Sequence, residues 1–295
     1  MFRIQTISSF DQPGLAPYRT LRRSAEHAAQ GIFVAEGDKV VQRLLESPFG
    51  VESIVLPEGR MPEFQTLIAA RKEDITVYLA EKKFLETLVG FEMFQGVLAV
   101  GKIPGRVSLA GLLKQFPSPR LFAAVDGLTN AENIGLLVRN CAAFGTQALI
   151  VGETCSSPFL RRAVRNSMGT VFKLPVLELS RKDEFHESPE SETSLPSRSV
   201  PSGETLAQTL RSLRGQGIRC IAAHPHTDKK ILSQADFSGD CCVVFGSEGY
   251  GISAPVLAEC DEAVLIPMAN DVDSLNVSAA AAVFLYEASR QRSKS

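Results

Sequence analysis

The sequence predicts an α/β protein in two parts, and three observations lead there. Short apolar runs of strand length alternate with helix-spaced apolar patterns along most of the chain. That alternation packs helices against a mainly parallel sheet. The stretch Lys102-Ile103-Pro104-Gly105-Arg106 is rich in turn residues, so it marks the joint between residues 1–103 and 104–295. Near the end, the apolar runs 241–245 and 263–266 each stop at a loop of small or polar residues. Loops at the carboxyl ends of buried strands are where open α/β sheets bind ligands.

In chain order, Tyr18-Arg19-Thr20-Leu21-Arg22-Arg23 opens a basic amphipathic helix. Residues 31–37 read as a strand ended by glycine, and Asp38 is placed to cap the helix carrying Val40, Val41, Leu44 and Leu45. Strands follow at 51–56, 75–79 and 95–100, with helices at 62–71 and 81–88 between them. Gly96 to Lys102 matches G-x-x-x-x-G-K, but its centre is Val-Leu-Ala-Val and Ile103 stands where Ser or Thr is needed. It is a strand, not a phosphate loop. The second part opens with helix 108–116 and strand 121–125, which ends at Asp126-Gly127-Leu128-Thr129-Asn130. Helix 132–144 turns Ile134, Leu137, Val138 and Cys141 to the sheet and stops at Gly145. After strand 148–151, a short helix from Ser157 presents Arg161, Arg162 and Arg165 outward, and 171–176 reads as a strand. Residues 180–203 are rich in Ser, Pro, Glu and Arg with almost nothing apolar, which predicts a mobile insertion. Helix 204–216 and strand 218–223 precede the closing stretch, which ends in an alanine-rich helix.

Composition narrows the function classes. With 44% hydrophobic and 22% charged residues in 295, the chain is that of a globular protein able to bury a sizeable core. A formal net charge of −2 gives no global basic field, so any nucleic-acid contact must come from a local patch. The six cysteines form no C-x-x-C and no histidine lies at ligand spacing from them, so no metal is expected. No apolar run reaches membrane-span length and no leader pattern opens the chain, which leads to the expectation of a reduced, cytoplasmic protein without a membrane. The strand ending at Asp126 lacks a G-x-G-x-x-G fingerprint; the glycines come late, at Gly246, Gly249 and Gly251. From spacing alone, the reading stops at a nucleotide-like ligand in a C-terminal site.

The residues also carry a resemblance. Asn133-Ile134-Gly135-Leu136-Leu137-Val138-Arg139 resembles the first motif, N-x-G-x-x-x-R, of the SpoU (TrmH-like) RNA 2′-O-ribose methyltransferases. Val244 to Gly251 resembles their second motif, and Ile266-Pro267-Met268 with Asp273-Ser274-Leu275-Asn276-Val277-Ser278 their third. The three stand in family order. Short stretches of residues 1–103, among them Phe33-Val34-Ala35-Glu36-Gly37 and Gln95-Gly96-Val97-Leu98, resemble the family's L30e-like substrate-binding domain, with Phe94 where the family often has His.

The resemblance implies a C-terminal α/β domain tied in a deep trefoil knot, a rare exception to the rule against knots, with S-adenosylmethionine bound there. It carries the cofactor contacts to Gly246, Ile266, Met268 and Leu275. It gives Arg139 the catalytic position, with Glu248 orienting it by ion pairing and Asn133, Ser274 and Asn276 bonding substrate or loop backbone. An arginine is a poor proton acceptor, so Arg139 is read as a clamp on RNA phosphate and on developing alkoxide charge. A homodimer with a shared active site is implied, with Arg139 reaching the partner's cofactor site. RNA is the implied substrate, ribosomal RNA favoured over tRNA. Arg19, Arg22, Arg161, Arg162 and Arg165 are candidate RNA contacts or simply solvated charges. The rival reading is a non-catalytic RNA-binding protein that retains the fold, against which the complete set of Asn133, Arg139, Glu248 and Asn276 argues.

Overall fold

A computed structural model describes residues 2–9, 11–89, 96–179, 203–225, 230–270 and 272–293. The N-terminal part carries β1 (Phe2–Thr6), α1 (Ala16–Arg19), α2 (Ser24–Ala29), β2 (Ile32–Glu36), α3 (Asp38–Leu45) and β3 (Val51–Pro57). It continues through α4 (Met61–Ala69), β4 (Ile75–Ala80), α5 (Lys82–Val89) and β5 (Leu98–Lys102). Then come α6 (Leu109–Gln115), β6 (Leu121–Val125), α7 (Ala131–Ala143), β7 (Ala148–Val151), α8 (Arg161–Asn166) and β8 (Val176–Glu178). The chain closes with α9 (Leu206–Gly215), β9 (Arg219–Ala223), β10 (Cys241–Phe245), α10 (Ala254–Leu257), β11 (Glu262–Val264) and α11 (Val277–Arg292).

Two compact units result, and the first joins residues up to Gly105 with the distant segment Phe159–Lys173. Its five-stranded sheet runs β1-β4-β3-β5-β2, with β5 antiparallel to both neighbours. Strand β2 is buried on both faces, as its unbroken run Ile32-Phe33-Val34-Ala35 requires. Ile32 and Val34 join a core with Tyr18, Val55 and Leu98. Phe33 turns the other way and stacks on Phe172 with ring centroids 5.5 Å apart, beside Phe49 and Phe159. Its ring lies so close to β5 that a Cβ on Gly101 would fall 2.4 Å from Phe33 Cζ, so only glycine fits there. Glu36, at the end of β2, accepts from both Arg161 and Arg165, and Arg43 donates to the Met168 carbonyl at 2.5 Å.

Several expectations are corrected here. Residues 159–173 pack with the first unit, not with the sequence that flanks them, because four aromatic rings and the Glu36 carboxylate hold them there. Arg161 therefore does not point outward as α8 was expected to present it; its side chain is 19% exposed and committed to Glu36. The run 171–176 is not a strand: Thr170–Phe172 is a 3-10 turn that feeds the aromatic cluster, and the strand is only Val176–Glu178. The basic helix from Tyr18 ends at Arg19, and a second one starts at Ser24. Asp38 does not cap α3; Gly37 is the N-cap, while Asp38 pairs with Arg60 at 2.9 Å. Residues 180–202 of the region expected to be a mobile insertion, and Phe94, lie outside the described residues. The false phosphate loop is indeed strand β5.

The second unit has a six-stranded sheet in the order β11-β9-β10-β6-β7-β8 with every pair parallel, as the α/β expectation required. Both central strands, β6 and β10, are buried along their whole length. Successive strands run outward from β6 through β7 to β8, whereas β9 and β11 lie on the far side of β10. Strand order thus reverses between β6 and β10, and such a switch point opens a crevice at the strands' carboxyl ends. Helix α7 is capped by Asn130, whose side chain accepts from the Glu132 and Asn133 N–H groups. It closes as predicted at Gly145, with the Thr146 N–H on the Cys141 carbonyl at 2.9 Å. At the far end of α11, Arg292 donates to the carbonyls of Pro119, Arg120 and Gly239, tying that helix to the starts of β6 and β10.

In the first unit, Arg71 gathers the carbonyls of Leu45, Ser47 and Phe49, and Glu73 holds Arg71 while accepting the Val51 N–H. Burial pushes the Glu73 carboxyl up, but the bonds from Arg71 and Val51 outweigh it and hold its pKa at about 2. A depressed folded value means that stabilisation is present above the ordinary value of 4.5 and is lost as pH falls towards 2. Glu73→Gln is therefore expected to destabilise the protein by about 1–2 kcal/mol at pH 7. Urea unfolding should show the difference from the parent shrinking as pH drops below about 4.5, and a pH-independent difference would refute the assignment.

Candidate active site

At the switch point, Asp126 follows β6 and Gly246 follows β10, with the Asp126 N–H on the Phe245 carbonyl at 2.9 Å. From Gly246 the backbone doubles back, and Ser247 and Gly251 exchange two hydrogen bonds of 3.0 and 2.9 Å. This hairpin is possible only because residue 246 has no side chain: a Cβ there would lie 2.1 Å from the Gly251 carbonyl carbon. Asp126, only 8% exposed, accepts the Ser253 N–H at 2.8 Å and pins the hairpin's far end.

Beside the hairpin lies a cavity of about 250 Å³. Gly246, Ile266, Met268 and Leu275, the four expected cofactor contacts, all line it, as does Ser274. Phe245, Val264 and Phe284 supply further apolar wall, and His224 closes the side after β9. A crevice with apolar walls, strand-end backbone and a few polar side chains suits a flat heterocycle on a polar tail. The residues therefore fit a nucleoside cofactor.

Asn276 organises the polar edge. Its Oδ1 accepts from the Ser278 N–H at 2.9 Å and from the Ser278 hydroxyl at 2.6 Å, capping α11. Its Nδ2 donates to Asn133 Oδ1 at 3.2 Å and to the Glu248 carboxylate. One carboxamide therefore links the first, second and third motifs. Asn133 is buried at the start of α7, and Asn140 on the same helix donates to the Ser278 carbonyl at 2.6 Å.

The expected pair of Glu248 with Arg139 does not form within one chain. Glu248 accepts from Asn276 instead, and Arg139 sits exposed on α7 with no ion pair or hydrogen bond among the described residues. Of the candidate RNA contacts, Arg19, Arg22 and Arg162 are exposed in the first unit, whereas Arg161 and Arg165 hold Glu36. Asp126, Asn130 and His224 join the site although none of the three motifs contains them. A carboxylate or amide just past an apolar strand was the available signal for the first two; His224 gave none, because strand order alone brings it to the cavity. Burial pushes the nearby Cys155 thiol up to about 11, so it stays protonated near neutral pH and bonds Leu128 and Val125 rather than attacking anything. Among the described residues, no His, Cys, Asp or Glu cluster is arranged for a metal, and no helix is long and apolar enough to cross a membrane.

Fold and site together define an α/β protein whose ligand crevice lies at the switch point of a wholly parallel sheet, joined to a smaller mixed-sheet unit. The SpoU rRNA Methylase family model matches residues 120–201 and 193–286, and the model for RNA 2′-O ribose methyltransferase substrate binding matches residues 34–105. A 23S rRNA (guanosine-2′-O-)-methyltransferase of Pseudomonas putida is 30% identical over 262 residues, covering 87% of this chain and 95% of that one. An uncharacterized tRNA/rRNA methyltransferase of Mycobacterium tuberculosis is 29% identical over 294 residues, covering 97% and 92%. The SpoU methyltransferase AviRb from Streptomyces viridochromogenes, solved with AdoMet, shares the fold with a TM-score of 0.76 at 23% identity, covering 96% of this chain and 100% of that one. The chain belongs to the SpoU rRNA methylase family and is an RNA 2′-O-ribose methyltransferase. The resemblance carried by the three motifs is borne out.

The Asn276 relay has a measurable consequence. Asn276→Ala removes the cap of α11 and is expected to cost about 1 kcal/mol in thermal unfolding. Asn276→Ser keeps an oxygen for the Ser278 N–H and should recover most of that loss. Equal stability of parent and alanine variant would show the cap to be idle.

Proposed function

We propose that this protein transfers the methyl group of S-adenosylmethionine to a ribose 2′-hydroxyl of RNA, with ribosomal RNA as the substrate class. The observation that carries this reading is the meeting of Gly246, Ile266, Met268 and Leu275 around one cavity, with the Glu248–Asn276–Asn133 relay at its edge. The ribosomal choice follows the relatives named for 23S rRNA.

When bound, the cofactor supplies an already activated methyl group, so the chain's task is to align the 2′-oxygen and manage its charge. Ile266, Met268 and Leu275 would hold it, with Gly246 shaping the hairpin beside it. Asn276 keeps Glu248 and Asn133 in fixed positions at the edge, and Ser274 adds a hydroxyl. Arg139 holds an RNA phosphate and stabilises the charge that develops on the 2′-oxygen as its proton passes to water; its guanidinium stays protonated throughout. Arg139 has no ion pair or hydrogen bond among the described residues, which supports the reading that it serves the site of a second copy in a homodimer. The exposed Val283 and Tyr286 on α11, the helix packed on α7, are apolar surface of the kind such an interface covers. The trefoil knot and cytoplasmic location belong to the same reading, the latter in keeping with six free cysteines. Residues 1–103, with the 159–173 segment, recognise RNA through the exposed Arg19, Arg22 and Arg162, while Arg161 and Arg165 anchor the segment on Glu36; the rest of 104–295 carries methyl transfer.

Incubation with ribosomal RNA, tRNA and labelled S-adenosylmethionine should place label on 2′-oxygens, most of it in ribosomal RNA. Arg139→Ala is expected to lower kcat at least about 100-fold while calorimetry still shows cofactor binding. Full activity in that variant would remove the proposed role. A protein that binds RNA yet neither binds cofactor nor transfers methyl would support the non-catalytic reading instead.

A further inference from the structure

Tyr250 is 98% exposed, the most open of the large apolar side chains described as exposed. It stands at the tip of the 246–251 hairpin, within the shell of residues around the cavity. Its backbone is not loose: the Ser247–Gly251 hydrogen bonds close the turn, and the Tyr250 N–H donates to Ser247 Oγ at 3.2 Å. The ring therefore rises from a braced turn with no packing partner among the described residues, one residue beyond Gly249 and two beyond Glu248. Its hairpin neighbours Ser247, Glu248, Gly249 and Gly251 are small or charged. They supply none of the contiguous apolar surface that the core of a protein–protein interface uses. A single braced ring over small residues suits instead a planar, π-faced ligand, and RNA recognition relies on stacking unpaired bases against such rings.

We propose that Tyr250 is a substrate-positioning residue: its ring stacks on a nucleobase of the RNA substrate, at or next to the methylated nucleotide, and orients the ribose towards the crevice. This rests on the RNA methyltransferase reading and gives Tyr250, which lies within the second motif, a role that the resemblance does not assign to it. The chemistry required of the ligand is a flat, unpaired base, so the contact is selective for single-stranded or splayed RNA rather than for a paired helix.

The test uses the full chain and three proteins: parent, Tyr250→Phe and Tyr250→Ala. Steady-state methyl transfer to ribosomal RNA gives KM and kcat for RNA, calorimetry gives cofactor affinity, and light scattering gives mass. Expected are a 5- to 150-fold loss in kcat/KM for RNA in Tyr250→Ala, about the range for one lost base–aromatic stack, borne mainly by KM. Tyr250→Phe, which keeps the ring, should stay near the parent, with cofactor affinity and mass unchanged in both. An alanine variant equal to the parent in kcat/KM overturns the proposal. So does a loss accompanied by a change of mass, which would assign the ring to a contact with a second copy. If the parent itself methylates no RNA while binding cofactor, it is the underlying functional reading that fails.

Discussion

The pairing of β6 with β10 is the constraint on which the second unit depends. The two strands are separated in sequence by more than a hundred residues, yet they run parallel in register from Cys241 with Leu121 to Phe245 with Val125. Both are buried on both faces, so neither can slip or fray without exposing apolar side chains. Their carboxyl ends stop side by side at the place where strand order reverses. Everything chemical hangs from that point: the 246–251 hairpin after one strand, Asp126 and the cap of α7 after the other.

From there, the site is assembled by small polar groups acting at helix starts. Asn130 begins α7 and Asn276 begins α11. Each amide oxygen satisfies helix N–H groups that would otherwise lack partners. Asn276 has a carboxamide nitrogen left over, and it spends both protons on Asn133 and Glu248. A capping residue thus becomes the link between three motifs. The arrangement also explains why Glu248 does not wait for Arg139: within one chain a nearer donor already holds it.

The first unit follows a different logic. Its distant segment, residues 159–173, is bound by rings and by a half-buried carboxylate that takes two arginines. A family model for the methylase spans this segment, yet it packs with the unit that a substrate-binding model matches. Sequence neighbours and spatial neighbours part company here because Phe33 and Phe49 leave an aromatic surface on the sheet that Phe159 and Phe172 cover.

Much of this was legible beforehand. Period and length identified β2 to β4, β6, β7, β10 and the helices between them, since each has a buried face or a wholly buried run that must repeat in the sequence. The motifs named the residues that line the cavity and those of the polar relay. What periodicity could not show was β1, an edge strand whose residues are exposed or half-buried and so carry no pattern. Nor could it show that Val171 and Phe172 serve an aromatic cluster rather than a sheet, since burial alone does not say against what. By itself, then, the sequence determined the α/β class, the family and the chemistry-bearing residue types, because these rest on local pattern and motif order. Only the tertiary structure decided that Asn276 bridges Asn133 and Glu248, that Glu36 claims two of the arginines, and that Tyr250 stands open on a braced turn. Those outcomes depend on which groups a long-range fold brings within hydrogen-bond reach, and no spacing along the chain encodes that distance.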